Sequence, residues 1–600
     1  MHRKEIRSRL GEIGNLLAGE LDSRGYWTGE LSSSALAVAV ALTALHFDDH
    51  KKHYEEINKG LSWLAANIND DGSFGDTPES PGNVSTSLLV YAAINLQEGN
   101  PVWLEKLKIN VSRYLNSQGI NVNTRDVAKN ILKYYDNDYT FSVPILTMCG
   151  LCGIPDKNAF DNIPQLPFEL LLLPGSFYRL LNLNVVSYAL PALAAVGIVI
   201  FRNKKPGVLL RVIRHFSISR ALRKLHRMMP ESGGYLEAVP LTAFVSLSLI
   251  NAGYGSTNVV KKGIGFLKRL QREDGSWPVD VDLSTWVTSL SIKSFRSNLN
   301  SYILPDNRAK ISLHLRSIQN KDVHPFNGTP PGGWGWTSYS GSVPDGDDTP
   351  GVILALSMLE TREEVRNEVL AGGRWLLGLQ NNDGGFPTFS RGWGKLPFDQ
   401  SCPDLTGHCL LALSLIIGDY KNVITPAGVT GFKRSFNRAL KYLEEGQHHD
   451  GSWLPLWFGN QLTNKQTNPL YGTAKVTAYL RDVLKHNWYN DKIRSRLEKI
   501  IGEGAGFIIS IRNDNGSWGG AKSIPGSIEE TSLAVSALAS QEYKGDCLRG
   551  LEWIDGVYAR KGLITAPIGL YFASLWYDEK LYPVTFYLEA LARMLELPEE

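Results

Sequence analysis

The segment KGIGFLKRLQREDGSW, from Lys262 to Trp277, contains the pattern from which the fold class can be predicted. An amphipathic helical segment is followed by a glutamine, a polar Asp-Gly turn and an aromatic residue. The glycine of such a turn can take a positive φ, and the aromatic side chain anchors the turn on the next element. The stretch therefore predicts a helix that ends sharply and is fixed to its neighbour.

The same pattern recurs along the chain, and repeats of this kind are typical of stacked helical architectures. Further copies end at Phe74, Phe386, Trp453 and Trp518, and a degenerate copy ends at Trp27. Apolar helical runs lie between the copies, and many of them begin with Ser, Thr or Asp at an N-cap position. Because alternating strand patterns are scarce, we expect an all-α chain of helical hairpins closed into α/α barrels.

Length and composition limit the possible classes of protein. The 600 residues are too many for one ordinary core, so two or more domains are expected. The 62 basic and 60 acidic residues nearly balance, which argues against a nucleic acid partner. Five cysteines indicate a reducing compartment rather than a disulfide framework. The start of the chain has an amphipathic helical pattern, and no targeting peptide is expected from it.

One apolar region is a candidate for contact with a membrane. The run from Tyr188 to Phe201 is 14 residues long and contains a proline, so it is too short to span a bilayer as a helix. An apolar, aromatic stretch precedes it and the basic FRNKKP follows. We expect residues 166–203 to form a monotopic contact on the cytoplasmic face of a membrane, and a buried helix hairpin is the alternative.

Three carboxylates follow a cluster of aromatic residues in GGWGWTSYSGSVPDGDDT, from Gly332 to Thr349. Like charges as close as Asp345, Asp347 and Asp348 raise at least one pKa, and an aromatic pocket raises it further by desolvation. A carboxyl group that stays protonated at neutral pH is a proton donor, so the cluster predicts a general acid. A solvated acidic loop and a calcium site are the alternatives for these residues alone.

Together, these features resemble the squalene-hopene cyclase family of triterpene cyclases. The repeats resemble that family's QW motifs, and DGDDT is similar to its DxDDT acid motif. The segments LNLNVVSYALPALAAVGIVI and PESGGYLEAVP extend the resemblance over nearly the whole chain. It implies two α/α barrels in a dumbbell, with residues 1–25 and 300–600 in the acid-bearing barrel and residues 26–299 in the other. The family also suggests a homodimer.

The resemblance implies a class II terpene cyclase in which Asp347 donates the proton and Asp345 and Asp348 tune and orient it. In CPDLTGH, Asp404 and His408 are spaced i,i+4 and share a helix face, so we expect the carboxylate to hold the imidazole protonated. The resemblance implies that His408 hydrogen-bonds to Asp347. A surface salt bridge is the alternative for the Asp404–His408 pair.

A carbocation moving through the substrate requires walls that attract a cation without a lone pair to trap it, and aromatic faces meet this need. Ordinary core packing is the alternative for each aromatic residue. The resemblance implies that the cavity is lined by Trp286, Trp334, Trp336, Phe389, Trp457, Tyr471, Tyr571 and Tyr188. Tyr188 stands where the family usually has tryptophan, and an insertion before Tyr471 affects the assignment of Trp457.

The chain departs from the family pattern in two N-terminal helical runs, Leu31 to Leu42 and Val84 to Leu96, which lack any Asp or Glu. We therefore expect the terminating step or the length of the substrate to differ. The expected substrate is a linear isoprenoid hydrocarbon, squalene or a related chain, and no cofactor or metal is expected. The alternatives are a copalyl diphosphate-type diterpene cyclase, an oxidosqualene cyclase, a protein prenyltransferase β-like subunit and a non-catalytic α/α toroid that binds a partner.

Overall fold

The structure is a computed structural model, and it describes residues 1–97, 101–135, 138–172, 186–204, 207–395, 397–570 and 575–599. Helices dominate these residues, and three short strands form one small sheet. The predicted all-α class is therefore confirmed.

The first group of helices belongs to the N-terminal half of the chain. These helices are α1 (Arg3–Gly19), α2 (Ala35–Asp49), α3 (Tyr54–Ala66), α4 (Val84–Asn95), α5 (Val102–Ser117), α6 (Asp126–Tyr134), α7 (Tyr139–Leu151), α8 (Val186–Asn203), α9 (Val208–Met228), α10 (Val239–Leu249) and α11 (Asn258–Leu270). Short helical turns lie between some of them, at Ala159–Asn162, Phe168–Leu172, Tyr235–Glu237 and Ile250–Tyr254.

The second group follows. These helices are α12 (Ser284–Phe295), α13 (Leu299–Tyr302), α14 (Pro305–Ser317), α15 (Asp348–Leu359), α16 (Arg366–Leu379), α17 (Pro403–Tyr420), α18 (Pro426–Gly446), α19 (Pro469–Val483), α20 (Asp491–Ser510), α21 (Ile528–Leu538), α22 (Lys544–Lys561) and α23 (Tyr582–Leu595). Two further turns occur at Arg296–Asn298 and Asn464–Gln466.

Each group contains a closed ring of inner helices. In the first group α2 contacts α4, α4 contacts α7, α7 contacts α8, α8 contacts α10, and α10 returns to α2. In the second group the ring runs through α12, α15, α17, α19, α21 and α23 and closes on α12. Inner helices such as α2 and α21 are buried on nearly every face, as expected for a helix enclosed by an outer shell.

Two large buried clusters correspond to the two rings. Helix α1 packs on α23, so the N-terminal helix belongs to the second cluster. Along the chain, the buried residues pass from the first cluster to the second between Trp277 and Trp286, except that Phe326 and Val343 pack in the first cluster. The division into domains at residues 25 and 300 remains a prediction.

The aromatic residues of the repeats tie the two helical shells together. The indole N–H of Trp453 donates to the carbonyl of Leu443 at 2.9 Å, which satisfies an acceptor near the end of the preceding outer helix. The backbone N–H of Trp453 donates to Thr473 Oγ1 on the next inner helix, also at 2.9 Å. The same indole-to-carbonyl bond occurs in Trp27, Trp277 and Trp518.

The small sheet lies beside the second ring. Strand β2 (Ile568–Leu570) pairs antiparallel with β1 (Phe458–Gly459) on one side and with β3 (Leu575–Tyr577) on the other. The ring of Phe458 lies 4.9 Å from that of Tyr471 on α19. The sheet therefore packs against an inner helix that carries predicted site residues.

Exposed apolar side chains occur mainly outside the predicted membrane segment. Most of the described apolar side chains of α8, including Val196 and Val199, are buried, whereas α9 exposes Val208, Leu209 and Phe216 by 73–76%. Residues 173–185 of the predicted segment lie outside the described residues. Within the described ranges, no helix is both long and apolar enough to cross a membrane.

Candidate active site

The acidic loop, residues 345–348, leads into inner helix α15, and Asp345 fixes the shape of this loop. Asp345 Oδ1 accepts the backbone N–H groups of Asp347 and Asp348 at 2.8 and 2.7 Å. These N–H groups belong to the first residues of the helix, which have no partner within it, and the positive end of the helix dipole favours a negative charge there. Asp345 therefore orients the backbone that carries Asp347.

The surroundings of Gly346 explain why the second position of DGDD is a glycine. Its N–H donates to the carbonyl of Thr388 at 2.6 Å, and a Cβ at this position would lie 2.5 Å from the carbonyl oxygen of Pro387. The thiol of Cys409, on α17, donates to the carbonyl of Gly346 at 3.3 Å. The loop is therefore held against two other segments of the second ring.

The three carboxyl groups differ in their surroundings. Asp345 and Asp348 are 3% and 4% exposed, whereas 16% of the Asp347 side chain is accessible. Burial raises the pKa of Asp345 to about 7. Burial and the adjacent Asp345 raise the pKa of Asp348 well above its ordinary value. Asp347 is thus the member of the cluster whose carboxyl group a substrate can reach.

The structure contains the hydrogen bond implied between His408 and Asp347. The imidazole Nδ1 lies 2.6 Å from Asp347 Oδ1, although the two residues are 61 positions apart. The imidazole ring stacks on Tyr479, with centroids 4.5 Å apart, and meets the edge of Trp286 at 6.1 Å. Helices α12 and α19 therefore hold the ring that α17 presents to the acidic loop.

The expected pairing of Asp404 with His408 is not formed. Asp404 Oδ1 accepts a hydrogen bond from the Cys402 thiol at 2.6 Å, and His408 Nε2 has no hydrogen-bond partner in the described part of the chain. Burial raises the pKa of Asp404 to about 6 and lowers that of His408. Asp404 therefore does not hold the imidazole protonated, although the two residues are one helical turn apart.

Trp286 and Tyr471 surround a lysine that the sequence did not suggest. The ammonium nitrogen of Lys475 lies 5.4 Å from the ring centre of Trp286 and 5.5 Å from that of Tyr471. Tyr479 and Phe586 lie at 5.8 and 5.0 Å. These four rings form a cage around a cation supplied by the protein itself.

Four of the predicted aromatic residues meet in a second group. Phe389 lies at its centre, with ring distances of 4.9 Å to Tyr188, 5.9 Å to Trp336 and 5.4 Å to Trp457. Phe398 completes the group by stacking on Tyr188 at 5.2 Å. Trp457, whose assignment is affected by the insertion before Tyr471, therefore lies among other predicted aromatic residues.

Trp334 differs from the other predicted aromatic residues. It is 1% exposed, its indole N–H donates to the carbonyl of Leu315 at 2.7 Å, and its backbone N–H donates to Thr349. This is the anchoring geometry of Trp453, so Trp334 packs in the core, and its assignment to the cavity wall stays a prediction. Tyr571 lies outside the described residues.

The sequence did contain a signal for the missed residues. Tyr471, Lys475 and Tyr479 are spaced by four and therefore share a face of α19. The spacing marks Lys475 as a neighbour of a predicted site residue. In the described ranges, no group of three or more His, Cys, Asp or Glu side chains is placed to hold a metal ion.

Curated relatives match the chain at low identity. It is 23% identical to enfumafungin synthase of Hormonema carpetanum, over 86% of this chain and 42% of the relative. It is 24% identical to a terpene cyclase-glycosyl transferase fusion protein of Humicola fuscoatra, over 64% and 32%. It is 22% identical to squalene hopane cyclase of Aspergillus fumigatus, over 86% and 78%. The chain thus spans less than half the length of the first two relatives.

Family models match both halves of the chain. Residues 12–101 match the squalene-hopene cyclase N-terminal domain, and residues 283–543 match the C-terminal domain, which contains the acidic loop and His408. Together the two matches cover more than half of the sequence, so the chain belongs to the squalene-hopene cyclase family.

Proposed function

We propose that this chain is a class II terpene cyclase, which protonates squalene or a related linear polyprenoid and converts it into a polycyclic terpene. The observation that carries the proposal is the partly accessible Asp347 carboxyl group, held 2.6 Å from His408 Nδ1. Assignment of DGDDT as a DxDD acid motif and of the repeats as QW motifs forms part of the same proposal.

The first step transfers a proton from Asp347 to a terminal alkene. The O–H bond of the acid breaks, the π electrons form a C–H bond, and a tertiary carbocation remains on the substrate. The carboxylate that forms accepts the N–H of His408, so the imidazole stabilises the product of proton transfer. Asp345 keeps Asp347 aimed because it accepts the N–H groups of the two peptide bonds that flank the Asp347 Cα atom.

Ring closure follows when the next alkene donates its electrons to the carbocation and forms a C–C bond. Each closure moves the positive charge along the chain, so the wall must attract a cation without reacting with it. The group around Phe389, with Tyr188, Trp336 and Trp457, presents such faces. The cyclisation reaction ends when the carbocation loses a proton or captures water.

A substrate panel tests this function directly. The purified protein is incubated in D2O with squalene, with shorter and longer polyprenes and with geranylgeranyl diphosphate, and the products are analysed by mass spectrometry. A cyclic product carrying one non-exchangeable deuterium at the initiating end supports protonation of an alkene. Conversion of the diphosphate alone favours the copalyl-type alternative, and no conversion of any compound contradicts the proposal.

We also propose that α9 contacts a membrane surface. Val208, Leu209 and Phe216 are exposed, and several arginines lie on the same helix. Exposed apolar side chains beside basic ones suit a helix that lies in the interface of an anionic bilayer. The homodimer that the resemblance implies remains a prediction, which light scattering of the purified protein can test.

A further inference from the structure

The charge environment of the proposed proton donor departs from the one expected. A carboxylic acid that protonates an alkene needs positive charge nearby, because a carboxylate forms in the same step. The expected source was an imidazolium at His408 held by Asp404. That pair does not form, and His408 Nε2 has no hydrogen-bond partner among the described residues. Another group must therefore supply the positive charge.

Lys475 has the position required. It lies on α19 one turn after Tyr471 and is 5% exposed, and it forms neither a hydrogen bond nor an ion pair within the described residues. Its ammonium group shares two rings with His408, because Trp286 and Tyr479 contact both. Lys475 and His408 are therefore neighbours across a pair of aromatic side chains.

The aromatic cage explains how a lysine without a carboxylate partner can remain charged in the interior. Burial favours the neutral amine and lowers the pKa of Lys475, whereas the charge on Asp347 raises it. Cation–π contact with the faces of aromatic rings stabilises a desolvated ammonium group. Rings within 5.8 Å on four residues therefore offset part of the cost of burial.

A second buried lysine, Lys293, differs from Lys475 because it is paired with a carboxylate. Lys293 Nζ lies 3.6 Å from Glu589 Oε2, so its charge is already paired. Glu589 in turn contacts Arg593 at 2.8 Å, and Arg593 contacts Asp482 in the same network. Lys293 Nζ also lies 4.4 Å from the ring centre of Tyr479, but its charge belongs to this ion-pair network. Among the described residues, Lys475 differs from it because no carboxylate is paired with its ammonium group.

We propose that Lys475 is a positioning residue for the reaction, whose ammonium group stabilises the Asp347 carboxylate formed on proton transfer. The inference rests on the proposed cyclase function. The proton moves from Asp347 to the alkene, and the acid is reset from solvent after product release. Lys475 keeps its own protons throughout. Its contribution is electrostatic and acts through Asp347.

Three variants separate charge from shape at this position. Lys475→Met removes the cation and keeps a long apolar side chain, Lys475→Gln keeps a neutral donor, and Lys475→Arg keeps the charge. We expect Met and Gln to lower kcat about tenfold to a hundredfold with little change in KM, and Arg to retain most of the activity. Circular dichroism and thermal unfolding establish that each variant is folded.

The pH–rate profile gives a readout that a merely structural role would not change. An acid without a neighbouring cation holds its proton more tightly, so the alkaline limb should move to higher pH in the Met and Gln variants and stay in place in the Arg variant. Glu589, Asp404 and Lys293 also act on Lys475 or on His408, and the titratable phenols of Tyr471 and Tyr479 pack against them. All of these groups remain unchanged in the three variants.

The two proposals fail in different ways. A wild-type protein that cyclises none of the substrates contradicts the proposed function. A wild-type protein that does cyclise, together with a folded Lys475→Met variant whose kcat and alkaline limb are unchanged, overturns the role of Lys475 and leaves the cyclase function intact. An Arg variant as slow as the Met variant likewise counts against an electrostatic role.

Discussion

The imidazole of His408 and the phenol ring of Tyr479 lie face to face, 4.5 Å apart and within 7° of parallel. This stacking fixes the plane of the imidazole, so that Nδ1 points at Asp347 although Nε2 has no hydrogen bond in the described part of the chain. Tyr479→Leu should therefore lower kcat about tenfold with little change in KM, since a small misalignment of catalytic groups is costly. Tyr479→Phe keeps the ring and should remain close to wild type in steady-state kinetics.

Asp347→Asn should abolish cyclisation, by at least about a thousandfold in kcat, because an amide cannot serve as the acid. The fold should persist, since Asp345 holds the loop through backbone N–H groups that the substitution leaves in place. Product formation and the thermal midpoint are measured together. Asp419→Asn, near the other end of the helix that carries His408, is the control and should keep full activity. Turnover by the Asp347 variant at the wild-type rate would remove Asp347 from the mechanism.

Glu529 should make the stability of the fold depend on pH. Its side chain accepts the backbone N–H of Ala566, and burial raises its pKa to about 8. A carboxyl group whose pKa is raised on folding contributes stability that is present below its unfolded pKa and is lost as pH rises through its folded pKa. Between about pH 4.5 and 8, the wild type should therefore lose stability relative to Glu529→Gln. Denaturant unfolding at pH 5 and pH 8 measures the free energy of unfolding of both proteins. If the wild type loses no stability relative to Glu529→Gln between these two pH values, the assignment is contradicted.

Phe216→Asp should weaken binding to anionic liposomes about tenfold or more, because the side chain is 73% exposed on the proposed contact face. Leu313→Asp, at a position 68% exposed on α14, provides a matched control. A flotation assay with vesicles that contain phosphatidylserine compares the two variants. Equal losses in both, or in neither, would indicate that α9 is not the contact surface.

Trp453→Phe should destabilise the second ring by about 1–3 kcal/mol, since it leaves the buried carbonyl of Leu443 without its donor. Urea unfolding measures this cost. Tyr489→Phe removes a hydroxyl that donates to a carbonyl at a half-buried site, and it should cost less. A Trp453 variant as stable as the wild type would show that the repeat does not depend on this bond.

The repeats made the helical architecture predictable because each copy specifies its own local structure. A helix stop, a glycine turn and an aromatic anchor are contained within about sixteen residues, as in Lys262–Trp277. The same regularity should have identified Trp334 as an anchor, since it precedes an inner helix in the same way as Trp453.

The site was less predictable because side-chain direction depends on neighbours that are distant in sequence. The i,i+4 spacing of Asp404 and His408 gave a shared face, but the Cys402 thiol takes up the carboxylate and Tyr479 fixes the imidazole. Lys475 was missed because lysine is rarely buried, and only the assembled rings show how its charge is accommodated.

The double hydrogen bond at Asp345 limits which substitutions the proposed cyclase can accept without losing its acid. One oxygen atom of Asp345 sets the direction of Asp347 through two backbone N–H groups. The same carboxyl group also interacts electrostatically with the other carboxyl groups of the acidic loop. A substitution at Asp345 would alter the strength of the acid and its aim together. New product specificities are therefore accessible mainly through the aromatic wall, where single rings can be exchanged while the initiating acid stays unchanged.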